Sequence, residues 1–243
     1  MTEYVEMTDS DKQRFEDFKR KINKEAAAAQ VGKLEYNLTD SSLDKAALRR
    51  ACQDAEKLGL GAVCVLPCYV KNCVSFLGHD PKASLIACIS FPHGGDTTKI
   101  KVAAVKQAVK DGVDEAEVSA PISAAKDGNW SYIKKQYKKV KAAGKIRNVR
   151  ISIDSQYLTE HEFLKLVTLA ADCGITCVRV TSGAFQPEVI AKVKSAVKDK
   201  CTIKADGVST LADMQTAVDM GAGIVGSKCA SDIARLIYQT VDE

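Results

Sequence analysis

Three short apolar runs each carry an ionisable side chain where such a group is costly. "EAEVSA" (115–120) holds Glu117, "CVRVTS" (177–182) holds Arg179, and "TIKAD" (202–206) holds Lys204. A carboxylate can move protons, an amine can attack a carbonyl, and a guanidinium can bind an anion. Alternate positions of neighbouring runs extend the set with Ser119, Thr181, Asp206, and Arg150, Ser152 and Asp154 of "VRISID" (149–154). Ser227 and Lys228 close "GIVGS" (223–227). Charges taken out of water must be paired, so the cluster has two readings: a reactive site, or a salt-bridged core with no further task.

The elements that must position these residues follow from hydrophobic periodicity. Strands are expected at 34–38, 62–66, 84–90, 115–120, 149–154, 177–182, 202–206 and 223–227. Between them the apolar spacing predicts helices over 44–58, 69–77, 97–111, 130–143, 160–172, 187–197 and 211–220, with one more over 231–239. Gly59, Gly112, Gly144, Gly174 and Gly221 fall just after helices, where a left-handed residue suits glycine. Eight β-α units close most naturally into a (β/α)8 TIM barrel, with an open doubly wound sheet as the alternative. The expected organisation is an N-terminal extension and helix over 1–30, then one barrel domain over 31–243. The extra helix runs over 9–29 with Phe15, Phe18 and Ile22 as its apolar stripe.

Composition narrows the function classes. Thirty-five Lys and Arg against 31 Asp and Glu give a net charge of +4, too small a bias to indicate nucleic acid. The nine cysteines include Cys64, Cys88, Cys177 and Cys201 inside strand runs, as reduced core residues would be. Cys64 and Cys68 are spaced C-x-x-x-C, but with three histidines in the chain no metal centre is expected, and no cofactor. The charged start lacks an apolar leader segment and no run is long enough to span a bilayer, so a cytoplasmic protein without membrane association is expected.

"AVCVLPCYV" (62–70), "ISFPHGGDTTKIKVAAVKQAVKDGVDEAEV" (89–118) and "IKADGVSTLADMQTAVDMGAGIVGS" (203–227) follow one family in order and spacing. On these stretches, and over residues 34 to about 237, the sequence resembles the deoxyribose-phosphate aldolases, class I Schiff-base lyases on a (β/α)8 barrel. The resemblance implies an imine-forming lysine on strand six, a second lysine on strand seven that lowers its pKa, and an aspartate on strand four that assists proton transfer. Lys204 matches the strand-seven lysine, but the strand-six position is Arg179 and the aspartate position is Glu117. An imine needs a neutral amine, and at a pKa of about 13 roughly one arginine in a million is neutral at pH 7.

Other family features have also drifted. The strand-seven glycine motif reads "KADGVST", with Asp206 before Gly207 near where backbone amides would face phosphate. The loop after strand six is shortened to "TSGAFQP", keeping Gly183, and strand one reads "EYNLT" without the family's histidine. Cys64, Gly183, Gly207, Ser227 and Lys228 are the candidate ligand-binding residues, with Lys228 either restoring affinity for a sugar phosphate or pairing with Asp206. The expected function is a pseudoenzyme, inactive on deoxyribose 5-phosphate and kept as a binding or scaffolding protein. The alternative is a Schiff-base aldolase in which Lys204 is the nucleophile and Arg179 lowers its pKa. Arg179 is expected to pair with Glu117, Asp154 or Asp206, and Arg179→Lys to restore imine trapping. For a partner, the basic 131–150 helix presents Lys134, Lys135, Lys138 and Lys139 to an acidic protein surface, the chain being a monomer or homodimer.

Overall fold

The computed structural model describes residue 13 and residues 22–144, 147–181 and 183–242. Eight parallel strands close in sequence order into one barrel: β1 (Leu34–Leu38), β2 (Ala62–Val65), β3 (Ser84–Ile89), β4 (Glu115–Ser119), β5 (Asn148–Asp154), β6 (Cys177–Thr181), β7 (Thr202–Ala205) and β8 (Ile224–Ser227). Closure is made by β1 against β8, with Glu35 opposite Gly226. The outer ring comprises α2 (Lys45–Leu58), α3 (Val70–Leu77), α4 (Thr98–Asp111), α5 (Ile122–Lys126), α6 (Trp130–Ala143), α7 (Glu160–Asp172), α8 (Pro187–Val197), α9 (Leu211–Asp219) and α10 (Ala230–Asp242). The short α5 is the one helix among these that apolar spacing did not indicate; five residues are too few to show a period.

Local chemistry sets the helix ends. Asp44 caps α2 by accepting from the Ala47 amide, and Thr159 and Glu162 form a reciprocal capping box on α7. Gly59, Gly112, Gly174 and Gly221 take positive φ as expected. Gly144 does not: at φ −96° it is extended, leading the chain directly from α6 towards β5.

The described part of the N-terminal helix, α1, covers 22–31 and so runs through the expected boundary at residue 30. Ala27 and Val31 are its buried residues and join the main core, whereas Ile22 is exposed. Phe15 and Phe18 lie outside the described residues. Among the described residues, no helix is long and apolar enough to cross a membrane, and all nine cysteines are free thiols.

Strand alternation sorts the core into two chemistries. Outward residues such as Val63, Val65, Ile151, Val178 and Val180 join the helices in one apolar layer. Inward residues split again, with Ala62, Cys64, Ile86 and Cys88 of β2 and β3 forming a small apolar cluster topped by Phe91. The remaining interior, from β1 and β4 to β7, is ionic. Outside the barrel wall, Lys101 of α4 is wholly buried, donating to the Ser119 carbonyl at 2.8 Å and to Gln136 of α6 at 2.9 Å. Burial pushes its amine down to about 8, with Asp96 opposing.

Candidate functional site

Seven charged side chains form an alternating chain through the barrel. Glu115 accepts from Arg150 Nε at 2.6 Å, and Arg150 Nη1 donates to Glu35 at 2.6 Å. Glu35 also accepts from Lys204, whose Nζ reaches Glu117 Oε2 at 3.0 Å and Asn37 Oδ1 at 3.3 Å. Glu117 Oε1 takes Arg179 Nη1 at 2.7 Å, and Arg179 Nη2 reaches Asp206 Oδ2 at 2.6 Å. Asn37 closes the upper end by donating to the other oxygen of Asp206. Four carboxylates therefore alternate with three cations, and each cation lies between two carboxylates.

Strand alternation delivers these groups to one interior. Glu115 and Glu117 are two apart on β4, Glu35 and Asn37 two apart on β1, and Arg179 sits beside Lys204 in register across β6 and β7. Gly226 on β8 provides the room. A Cβ there would fall 2.5 Å from Asp206 Oδ1, 2.7 Å from Asn37 Nδ2 and 2.8 Å from Lys204 Cε. The Phe91 ring covers the guanidinium of Arg179, 5.1 Å from its centroid, leaving Arg179 3% exposed.

The electrostatics follow from this pairing. Burial would push the Glu117 carboxyl up, but Lys204, Arg179 and Arg150 outweigh it and hold the group at about 2. Glu35 is likewise lowered, burial being overcome by Lys204 and Arg150. Burial would push the Lys204 ammonium down, yet Glu117 and Glu35 hold it well above the usual lysine range, against the opposing charge of Arg179. Lys204 is also completely buried. Enclosure by two carboxylates favours the ammonium form of Lys204, and the carboxylate on β1 thereby reverses the direction expected from Arg179 alone.

A carboxylate whose folded pKa is depressed stabilises the fold fully above its unfolded value, 4.5 for Glu117, and loses that contribution as pH falls through the folded value near 2. Acidification from pH 5 to 2 is therefore expected to remove about 3 kcal/mol through Glu117 alone. Urea unfolding across that range measures it; a flat profile would contradict the ladder.

Above the ladder, the C-terminal ends of the strands enclose a cavity of about 440 Å³ lined by Arg179, Thr181, Gly183, Asp206, Gly207 and Lys228, among others. Gly183 and Gly207 both have positive φ there. Lys228 is exposed at the rim and does not pair with Asp206, whose oxygens are taken by Arg179 and Asn37. Ser227 is buried, donating to the Val208 carbonyl and accepting from the Cys229 amide, so it braces the loop instead of facing the cavity. Cys64 lies within the apolar interior cluster, away from this lining. Cys64, Cys88 and Glu117 bring three potential ligand atoms within 4.8 Å, but both oxygens of Glu117 are already held by Arg179 and Lys204, leaving no free carboxylate for a metal. Asp154 does not reach Arg179; it caps the 3-10 turn at Ser155–Tyr157 and accepts from the Gln156 side chain.

Glu35, Asn37, Glu115 and Gly226 were not among the candidate residues. The signal for Glu35 and Asn37 is the alternation in "LEYNL", which puts both on the inward face of β1. The basic segment is also shorter as a helix than 131–150. The helix ends at Ala143, residues 145 and 146 lie outside the described residues, and Arg150 is inside the barrel. Lys134, Lys135, Lys138, Lys139 and Lys141 are exposed on α6, and Ile133, Tyr137 and Val140 face inward.

No protein-family model matches the chain. Among curated proteins it is similar to deoxyribose-phosphate aldolase of Thermoanaerobacter sp. (strain X514), 30% identical over 210 residues, covering 82% of this chain and 93% of that one. Deoxyribose-phosphate aldolase of Clostridium botulinum (strain ATCC 19397 / Type A) is 28% identical over 207 residues, covering 83% and 97%. Among solved structures, the tetrameric deoxyribose phosphate aldolase of Aeropyrum pernix superposes with a TM-score of 0.78 at 18% identity, over 92% of this chain and 97% of that one.

Proposed function

The chain belongs to the deoxyribose-phosphate aldolase family, and from that premise we propose that it is a member without imine chemistry, inactive on deoxyribose 5-phosphate and retained as a binding or scaffolding protein. The observation that carries this reading is Arg179 at the strand-six nucleophile position, spanned by Glu117 at 2.7 Å and Asp206 at 2.6 Å. A guanidinium cannot supply a neutral amine, and its flanking carboxylates use it as a structural cation. The interior lysine, Lys204, is held as ammonium by Glu35 and Glu117. The strand-four carboxylate is engaged by both cations and is not free to relay a proton.

In this reading the barrel interior is a folded ladder, and the mouth above it offers non-covalent binding only, with a sugar phosphate as the ligand class and Lys228 as its rim cation. The test combines a retro-aldol assay on deoxyribose 5-phosphate with borohydride reduction and mass spectrometry. Neither cleavage nor added mass is expected. A reduced adduct on Lys204, or turnover above the uncatalysed rate, would overturn the proposal.

A further inference from the structure

Helices α4 and α6 lie side by side, joined by Gln136 of α6, which accepts from Lys101 at 2.9 Å and donates to Thr98 of α4 at 3.1 Å. To the five exposed lysines of α6, α4 adds Lys99, Lys106 and Lys110, also exposed. The two helices contain a single carboxylate, Asp111 at the end of α4, which is engaged by Gln107 and by Lys71 of α3. The eight exposed lysines of these two helices, of which Lys141 turns to the end of α7, exceed the whole-chain net charge of +4, so the other residues together net −4.

The lysines of this face are also unpaired. Within the described structure, exposed Lys45, Lys57, Lys82 and Lys198 meet no carboxylate either, but exposed Lys71, Lys126, Lys192 and Lys200 each meet one. Among the described residues none of the eight does; Lys141 reaches only the Cys173 carbonyl at 3.4 Å. A lysine field without compensating carboxylates repels itself, and an incoming polyanion relieves that repulsion.

We propose that the α4–α6 face is one docking surface for an acidic helical segment of a partner protein. Charge complementarity selects an acidic occupant, and a helix matches the interval of the lysine rows. Lys134 and Lys138, and Lys135 and Lys139, are i,i+4 pairs, which places successive charges about 6 Å apart along two rows. Carboxylates at i and i+4 of a facing helix repeat at the same interval. Ile100, 54% exposed on α4, adds an apolar contact. Nucleic acid is a poorer fit, because α4 and α6 carry no arginine fork.

The inference gives the binding reading its surface and so rests on it, but the two fail separately: borohydride trapping reports on the barrel, and the following measurement does not. Full-length protein is titrated by fluorescence anisotropy into a labelled helical peptide with glutamates at i, i+1, i+4 and i+5. The comparators are a peptide of identical composition with scrambled spacing, a duplex RNA and phosphatidylserine vesicles. The spaced peptide is expected to bind at least about tenfold tighter than the scrambled one, and to weaken at least about tenfold between 50 and 300 mM salt. Lys134→Glu with Lys135→Glu, Lys138→Glu and Lys139→Glu should abolish binding, as should Lys99→Glu with Lys106→Glu and Lys110→Glu. Reversing Lys45, Arg50 and Lys57 to Glu on α2 should change it less than about threefold, with circular dichroism confirming each fold. Equal binding of both peptides, tighter binding of RNA or vesicles, or indifference to either helix's reversal would overturn the proposal.

Discussion

Arg179→Met is expected to destabilise the fold by about 3–5 kcal/mol at pH 7, read by urea unfolding. Methionine can fill much of the arginine's space beneath Phe91, so the loss is chiefly electrostatic. Asp206 would lose its cation and keep only the Asn37 amide, and Glu117 would keep only Lys204. A carboxylate left without its partner in a buried setting bears its desolvation cost uncompensated. Adding Asp206→Asn should recover part of the loss, because it removes the more exposed of the stranded charges; contacting residues are not additive, and the cycle measures their coupling. An arginine kept for a substrate anion would behave in the opposite way, with stability nearly unchanged and ligand affinity lost. A loss below about 1 kcal/mol would therefore count against the ladder as the reason for Arg179.

Arg179→Lys by itself is expected to give little imine trapping, a revision of what the sequence suggested. In the sequence alone, the neighbouring Lys204 is the only charge indicated to depress a new amine at position 179. In the structure the Lys204 charge is offset by Glu35 and Glu117, and a lysine at 179 would meet Glu117 and Asp206, which favour its ammonium. Combining Arg179→Lys with Asp206→Asn removes one of those carboxylates while leaving an amide to accept from Asn37. The double variant is expected to trap at least about tenfold more of a carbonyl substrate at position 179, since one unit of pKa is a factor of ten in neutral amine. Turnover should stay poor, because Glu117 remains clamped and differs from the family's aspartate by one methylene, too much for a relay positioned to about half an ångström. Equal trapping by the single and double variants would remove Asp206 from the account.

The eight strands and the long helices were legible in the sequence because their periodicities are local, and each strand reads its own pattern regardless of where the others lie. Alternation also placed Glu117, Arg150, Arg179 and Lys204 on inward faces, and no coordinates were needed to see an arginine where the resemblance implies a strand-six lysine. Which charge meets which was decided by tertiary structure. Lys204 and Glu35 are 169 positions apart, and only barrel closure of β1 against β8 brings them together. That closure reverses the expected direction of the Lys204 pKa, because an amine's protonation depends on every charge within a few ångströms and not on its sequence neighbours. The same holds for Arg179, whose partner just after β7 is Asp206 although Asp154 is equally polar and stands on the adjacent strand β5; side-chain direction at a strand end is set by the following turn, and Asp154 turns away to cap Gln156. Gly226 looked like an ordinary strand glycine. Its missing side chain became meaningful only when Asp206, Asn37 and Lys204 were found occupying the space a methyl would need.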